Sequence, residues 1–394
     1  MLSRKQREQA QDIMNSLYLY GPMPRSELSR LLGITPATMT EVTSYLIDKG
    51  ILSTMGDSLE KNQGSRRKVP LRIVSQQAYY LGVEISESKL VFCIADNIGQ
   101  VQVTSTLRDG SFSLSEQHIL AAIQSFLTAH HTYKIRAIGL AVPGHFDAAN
   151  KRLLSNRDIW SSFKINHIID GLSLPVFVKN NVKSMALAKM YFKSNHDGLN
   201  FVFLNVKRGI FSAYVYQGDI YGDQNYQVGE IGHSVMNPNG EQCECGQSGC
   251  LQTYASMAWI LKKSQYAYET GHTPILSHLV SHASDIRIEH VLQAYRMGEE
   301  LIHQIIEQAI HYLAQQINNL QIMIDVETIY IHGKLFEEDM IADKLRKKLE
   351  ENRSIISLNR PVSKVVLDYN PYFGALGAAA LAMRQDFIFS CAIS

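Results

Sequence analysis

The chain has 394 residues, 45% of them hydrophobic and 19% charged, which is enough to bury a large core divided over two or three domains. Its net charge of +1 and the absence of any apolar run of ~18 residues exclude a membrane span, and the polar start "MLSRKQREQAQDIM" is unlike a signal peptide, so a cytoplasmic globular protein is expected. Five cysteines, an odd number with three clustered, exclude a disulfide framework and leave thiolates available as ligands.

The charge is unevenly spread. Residues 1–74 hold 11 Lys and Arg against 7 Asp and Glu, a balance of +4 that leaves −3 for the rest. Excess positive charge on a small head suits a polyanion partner, or is simply a solvated surface. Within the head, "SRKQREQAQDIMNSLYLYG" reads as one helix and "PRSELSRLLG" as a second, stopped by Gly33. "ITPATMTEVTSYLIDKG" reads as a third. Thr35 can cap it, Pro36 fits its first position, and Met39, Val42 and Leu46 make a buried face. The opposite face offers Thr38, Thr40, Glu41, Ser44 and Tyr45, short polar side chains suited to base edges and phosphates in a major groove. Two β-prone stretches then flank a polar loop that ends in Arg66, Arg67 and Lys68, the pattern of a winged helix-turn-helix. A three-helix interaction module is the alternative.

After residue 75 the pattern becomes α/β. "YYLGVEISESKLVFCIADNIGQVQVTSTL" reads as three strands in a meander, and "FVFLNVKRGIFSAYVYQGDIYG" repeats that plan from residue 201. The repeat predicts two lobes joined around a cleft, over 75–195 and 196–394. Between them "IRAIGLAVPGHFD" reads as a buried strand with a Pro-Gly turn, and "LPVFVKNNVKSMALAKMYF" as a strand running into a helix. Residues 290–320 are expected to form one long amphipathic helix for core or dimer packing.

The stretch "HSVMNPNGEQCECGQSGC", 233–250, places His233 ten residues before Cys243, with Cys245 and Cys250 close behind. Four such ligands fill a tetrahedral zinc and leave no position for water, so a structural Zn2+ is expected, supported by turns at Gly240, Gly246 and Gly249. The alternative is a chance cluster of free thiols.

Four segments together resemble the ROK family of bacterial sugar kinases and sugar-responsive repressors: "GEIGH" at 229–233, "CECGQSGCLQTYAS" at 243–256, "GLAVPGHFD" at 139–147 and "FGALGAAALAM" at 373–383. The resemblance spans nearly the whole chain, and the winged head matches its repressor branch. It implies an α/β, actin-like (ribonuclease H-like, duplicated) two-lobed fold, zinc beside a sugar-contacting loop, and a histidine at 233 that serves both. By motif correspondence the sugar contacts are Asn180, Asn181, Glu230, His233 and Gln252.

The kinase motifs of that family are altered here. Where the resemblance implies Glu-Asn-Asp, with the aspartate as base, the chain has Lys179, Asn180 and Asn181, and an amide cannot take a proton. Where it implies a glycine-containing phosphate loop the chain has Glu84, Ile85, Ser86, Glu87 and Ser88. A second glycine run is reduced to Gly209, with Phe211 and Ser212 beside it, and His332 precedes Gly333 where two glycines are usual. No catalytic residue is therefore assigned. Amides at 181 and 252 in place of carboxylates remove charge-assisted bonds, which leaves a sugar or a sugar phosphate as effector; Lys179 favours an anionic ligand or is solvated. Gly64-Ser65-Arg66-Arg67-Lys68 keeps the arginines of the family's minor-groove segment but loses its proline.

These readings predict a sugar-responsive DNA-binding regulator, not an enzyme. Its expected partners are a double-stranded operator with an inverted repeat, a sugar or sugar-phosphate effector and a second copy of the chain, with no membrane. The alternatives are an active sugar kinase with a DNA-binding head, or a regulator controlled by docking of a transport-system protein.

Overall fold

The structure is a computed structural model describing residues 2–55, 69–108, 113–155, 157–192, 198–351 and 361–389. The head begins with α1 (Arg4–Tyr20), where Ser3 and Gln6 form a reciprocal capping box. Helix α2 (Arg25–Leu32) ends at Gly33, whose φ of +64° is the left-handed conformation a side chain resists. Helix α3 (Pro36–Asp48) follows with Thr35 as its cap and Pro36 at its first position; Met39, Val42 and Leu46 are buried as their spacing requires. Three short strands, β1 (Met23–Pro24), β2 (Leu52–Thr54) and β3 (Pro70–Ile73), pair antiparallel in the order β1-β3-β2 to complete the winged-helix topology. The loop carrying Arg66, Arg67 and Lys68 lies outside the described residues.

Contacts divide the chain into two compact units, 1–197 with 371–394, and 198–370. In the first, β4 (Tyr79–Ile85), β5 (Lys89–Asp96) and β6 (Val101–Arg108) form an antiparallel meander. Strands β7 (Ile135–Val142) and β10 (Val176–Asn180) extend it in parallel, in the order β10-β7-β4-β5-β6. A small hairpin, β8 (His145–Asp147) with β9 (Arg152–Leu154), stands beside the sheet. Helices α4 (Glu116–Ala129), α5 (Asp158–Ser161) and α6 (Ile165–Asp170) cover one face, where Leu81, Val83 and Ile85 join Ile119, Ile123 and Trp160 in a core. Successive strand residues face opposite ways, so Gly82 lies on the other face. Helix α7 (Asn181–Tyr191) follows β10 directly.

The second unit repeats the strand plan. Strands β11 (Phe201–Val206), β12 (Ile210–Tyr216) and β13 (Asp219–Ile220) form the meander; β14 (Thr328–Gly333) and β15 (Ser363–Val366) add in parallel, giving β13-β12-β11-β14-β15. Its helices are α8 (Gln252–Ala255), α9 (Met257–Glu269), α10 (Pro274–Leu279), α11 (Ile288–Arg296), α12 (Glu300–Met323) and α13 (Asp339–Glu350).

Two expectations are corrected. The single helix over 290–320 is two, α11 and α12, because Gly298 takes a φ of +87° between them. Glu299, at the break, is buried, and its carboxylate accepts the backbone N–H groups of Ile275 (2.7 Å) and Leu276 (3.2 Å) at the start of α10. The C-terminal helix α14 (Phe373–Met383) packs in the first unit, not with the lobe that precedes it in the chain. Gly82 and Gly139 are register partners on β4 and β7. A Cβ on either would stand 1.8 Å from a carbonyl oxygen of α14, Ala375 and Ala378 respectively, so the helix backbone lies in a notch that only glycines leave open.

Candidate functional site

Four metal-ligating side chains meet in the second unit. Backbone bonds fold the loop first: Cys243 N–H donates to Gln247 O (2.7 Å), Gly249 N–H to Glu241 O (2.8 Å) and Leu251 N–H to Ser234 O (2.8 Å). Gly246 (φ +89°) and Gly249 (φ +70°) make the tight turns, while Gly240 has a different reason, since a Cβ there would lie 2.2 Å from the Tyr254 hydroxyl. The result gathers one ligand atom from each of His233, Cys243, Cys245 and Cys250 within 4.8 Å of one another. His233 Nδ1 is 3.6 Å from Cys243 Sγ, and Cys245 Sγ is 3.7 Å from Cys250 Sγ. A tetrahedral zinc with bonds of ~2.3 Å to sulfur and ~2.0 Å to nitrogen sets ligand atoms roughly 3.6–3.8 Å apart, so these separations fit the ion.

The thiols alone are in conflict. Burial, and then the neighbouring Cys245 and Cys243, push the Cys250 thiol up to about 12, and burial also raises Cys243. Against the burial that would raise it, Cys245 is drawn below its ordinary value by the Gln247 backbone N–H and the other two thiols. A cation bound between them would invert this order and hold all three as thiolates. The other ring nitrogen of His233, Nε2, lies 4.0 Å from Glu230 Oε2. One imidazole thus faces both the ligand cluster and the carboxylate of the GEIGH segment.

Gln252 starts α8 with its side chain buried, and its Oε1 packs against Gly209 and Gly232, 3.1 and 3.4 Å from where their Cβ atoms would be. In the first unit Asn180 caps α7: its Oδ1 accepts from Val182 N–H (2.9 Å) and Lys183 N–H (3.1 Å), and its Nδ2 donates to Gly144 O (2.8 Å). Much of its hydrogen-bonding capacity is therefore structural. Asn181, half-buried, is the first residue of α7, and its Oδ1 accepts from Val182 N–H (2.9 Å).

On α3, Thr40 and Glu41 are exposed and Thr38, Ser44 and Tyr45 half-buried. Thr35 and Thr38 hydroxyls are 3.0 Å apart, and Thr40 Oγ1 donates to Pro36 O (2.9 Å).

The structure adds groups that motif reading did not supply. Glu87, in the turn between β4 and β5, is ion-paired with Arg157 and accepts from Trp160 Nε1 (3.1 Å). Its place in "EISESK" marked it, but nothing local pointed to partners 70 residues away. His332 is buried: Asn370 N–H donates to its Nε2 (3.3 Å), which leaves Nδ1–H to donate to Asn205 Oδ1 (2.9 Å), and Tyr369 stacks on the ring at 5.5 Å. In the head, Arg25 Nε donates to Thr43 Oγ1 (2.7 Å), tying α2 to α3.

A winged-helix head ahead of two mixed sheets of matching strand plan, with a Cys3His loop in the second, defines a two-lobed sugar-kinase-like fold carrying an added N-terminal module. Residues 80–385 match the ROK family, and the chain belongs to it. It is 24% identical over 378 residues to the DNA-binding transcriptional dual regulator NagC of Escherichia coli K12, covering 94% of this chain and 91% of that protein. Among solved structures, a ROK family transcriptional regulator, a homologue of the E. coli MLC protein, aligns over 97% of this chain and 96% of its own with a TM-score of 0.72 and 21% identity. A ROK glucokinase of Streptomyces griseus, in complex with glucose and AMPPNP, aligns over 78% of this chain and all of its own, with a TM-score of 0.66 and 20% identity. Among the described residues no helix is long and apolar enough to cross a membrane.

Proposed function

We propose that the chain is a sugar-responsive transcriptional regulator whose body is a sugar-kinase fold that no longer transfers phosphate. The observation that carries this is the pairing, on one chain, of a winged-helix head with a body whose base position is an amide, Asn181. Similarity to NagC over 94% of the chain, head included, supports the same reading. The head takes the operator through Thr35, Thr38, Thr40, Glu41, Ser44 and Tyr45 of the α3 region and through Arg66, Arg67 and Lys68 of the wing; the domain limits are 1–74, 75–195 and 196–394, with α14 returned to the first lobe. A homodimer meets an inverted repeat with its two heads. Asn180, Asn181, Glu230, His233 and Gln252 contact the effector, a sugar or sugar phosphate. Amide and carboxylate groups that donate and accept in pairs suit vicinal hydroxyls.

His233, Cys243, Cys245 and Cys250 hold one Zn2+. The ion supplies no chemistry to a substrate, because all four positions are filled by protein; it fixes the loop and, through His233, the place of Glu230.

The test is a thermal-shift screen of the full chain against glucose, xylose, N-acetylglucosamine and their phosphates, each with and without magnesium ATP. A hit is followed by operator binding to duplex DNA enriched by the protein from random sequence. Stabilisation by one sugar, independent of nucleotide and accompanied by altered operator affinity, is expected. A response that requires ATP would overturn the reading in favour of a kinase. The alternative is control by protein docking: a cavity of about 550 Å³ in the second unit has Glu230 in its wall beside Tyr214, Tyr216, Tyr221 and Met323, a lining open to a small ligand or to an apolar side chain of a partner. Silence to every sugar would move weight to it.

A further inference from the structure

The effector-end helix α7 is held at its far end by the DNA-binding head. It starts at Asn181 and ends at Tyr191, 11 residues or about 16 Å later. It packs along α14 so closely that a Cβ on Gly377 would lie 2.5 Å from the Ser184 backbone, which makes the two helices one stiff pair. Tyr191 is buried, and its hydroxyl donates to Asn15 Oδ1 (2.9 Å) on α1 while accepting from Arg384 Nε (3.0 Å).

Arg384 opens a single π-helical turn, Arg384–Ile388, that continues α14. That turn is fixed to the sheet, because Asp386 accepts from the Tyr80 hydroxyl (2.8 Å) and pairs with Arg136 (2.9 Å). On the head side, the Tyr18 ring meets the Tyr191 ring edge-on at 5.9 Å, and the Tyr18 hydroxyl donates to Asn97 O (2.7 Å) in the turn after β5. Gln11 Nε2 donates to Phe389 O (2.8 Å), and the Arg384 guanidinium lies over the Phe389 ring. Gln11, Asn15 and Tyr18 stand at i, i+4 and i+7, so they form one stripe of α1 dedicated to this contact.

We propose that Tyr191 is the joint through which events at the start of α7 reach the head: a positioning residue whose hydroxyl fixes α1 to the α7–α14 pair. This rests on the regulator reading above. A shift or tilt of the pair moves Tyr191 and Arg384 together, and the stripe on α1 must follow or let go. The bonds are local and exchangeable, as a joint between two poses requires, whereas the sheet-side bonds of Asp386 keep the middle of the π turn in place.

Tyr191→Phe keeps the ring and removes the hydroxyl, so the core around it stays filled. Full-length wild type and Y191F are compared by hydrogen exchange of α1 and by operator titrations with and without glucose, xylose, N-acetylglucosamine and their 6-phosphates. Exchange in α1 is expected to rise about tenfold while that of β4 and β5 is unchanged, and the sugar-induced change in operator affinity is expected to fall about fivefold or more. Retained sugar affinity of the free protein separates this from damage to the effector site. Wild-type exchange in α1, or faster exchange with the full sugar effect intact, overturns the joint alone. A wild type whose operator binding answers to none of these sugars defeats the sugar-responsive reading and the joint with it.

Discussion

Cys245 is the exposed member of the three loop thiols, whereas Cys243 and Cys250 are buried. That difference makes it the cleanest test of the metal cluster, since Cys245→Ser removes a ligand without opening a cavity. The expected result is less than half an equivalent of bound zinc per chain, measured by elemental analysis. A fall in Tm on the order of 5 °C should accompany it, the shift that a loss of about 2 kcal/mol gives in a domain of this size. Full zinc content with an unchanged Tm would remove Cys245 from the ligand set. At this scale the sequence was most informative: the spacing of one histidine and three cysteines was sufficient to bring together four atoms now found within 4.8 Å. It offered Asn180 as a sugar contact at a strand-to-helix junction but not as the cap of α7, and it gave no sign of the partners of Glu87, which are set by tertiary folding alone.

Between elements, two buried devices fix helix positions. Glu299 satisfies two backbone N–H groups at the start of α10 from the break between α11 and α12. Glu299→Ala leaves both donors without this acceptor, that of Leu276 buried, and is expected to destabilise the second unit by about 2–4 kcal/mol, with Glu299→Gln losing roughly half as much because its amide oxygen still accepts. Denaturant unfolding of the two variants checks the order; equal losses would mean that side-chain volume, not the bonds, is what matters. The notch for α14 is the second device. Gly139→Ala would place a methyl 1.8 Å from the Ala378 carbonyl, so α14 must move away from the sheet, at a cost of about 1–3 kcal/mol or more. The break at Gly298 could have been read from "RMGEE" as a left-handed stop, but hydrophobic spacing runs through it on both sides and masked it. The notch could not be read, because the glycines lie 57 residues apart and nearly 240 from the far side of the helix they receive. Helix α3 was legible as an element, since cap, proline and buried face are all local signals.

For the molecule as a whole, the proposed loss of phosphate transfer can be tested by placing a carboxylate at position 181. In Asn181→Asp the new carboxylate would stand at the first residue of α7, where the helix N-terminus favours its charge. General-base catalysis is worth ~10²–10⁴-fold, but transfer also requires a cradle for the triphosphate, and each phosphate-loop position is filled from within its own unit. In the first unit Glu87 holds Arg157 and Trp160 where a glycine loop would leave backbone N–H groups open. In the second, Phe211 packs on Gly229, and His332 is bonded on both ring nitrogens under Tyr369. A carboxylate and two rings repel or displace a polyanion that one restored base cannot recover. Neither wild type nor N181D is therefore expected to release ADP when supplied with magnesium ATP and glucose, xylose or N-acetylglucosamine in a coupled assay. Turnover in N181D alone would show that the base was the only part lost and that the nucleotide positions still work; turnover in the wild type would put the enzyme reading first and make Asn181 a sugar contact in a living kinase.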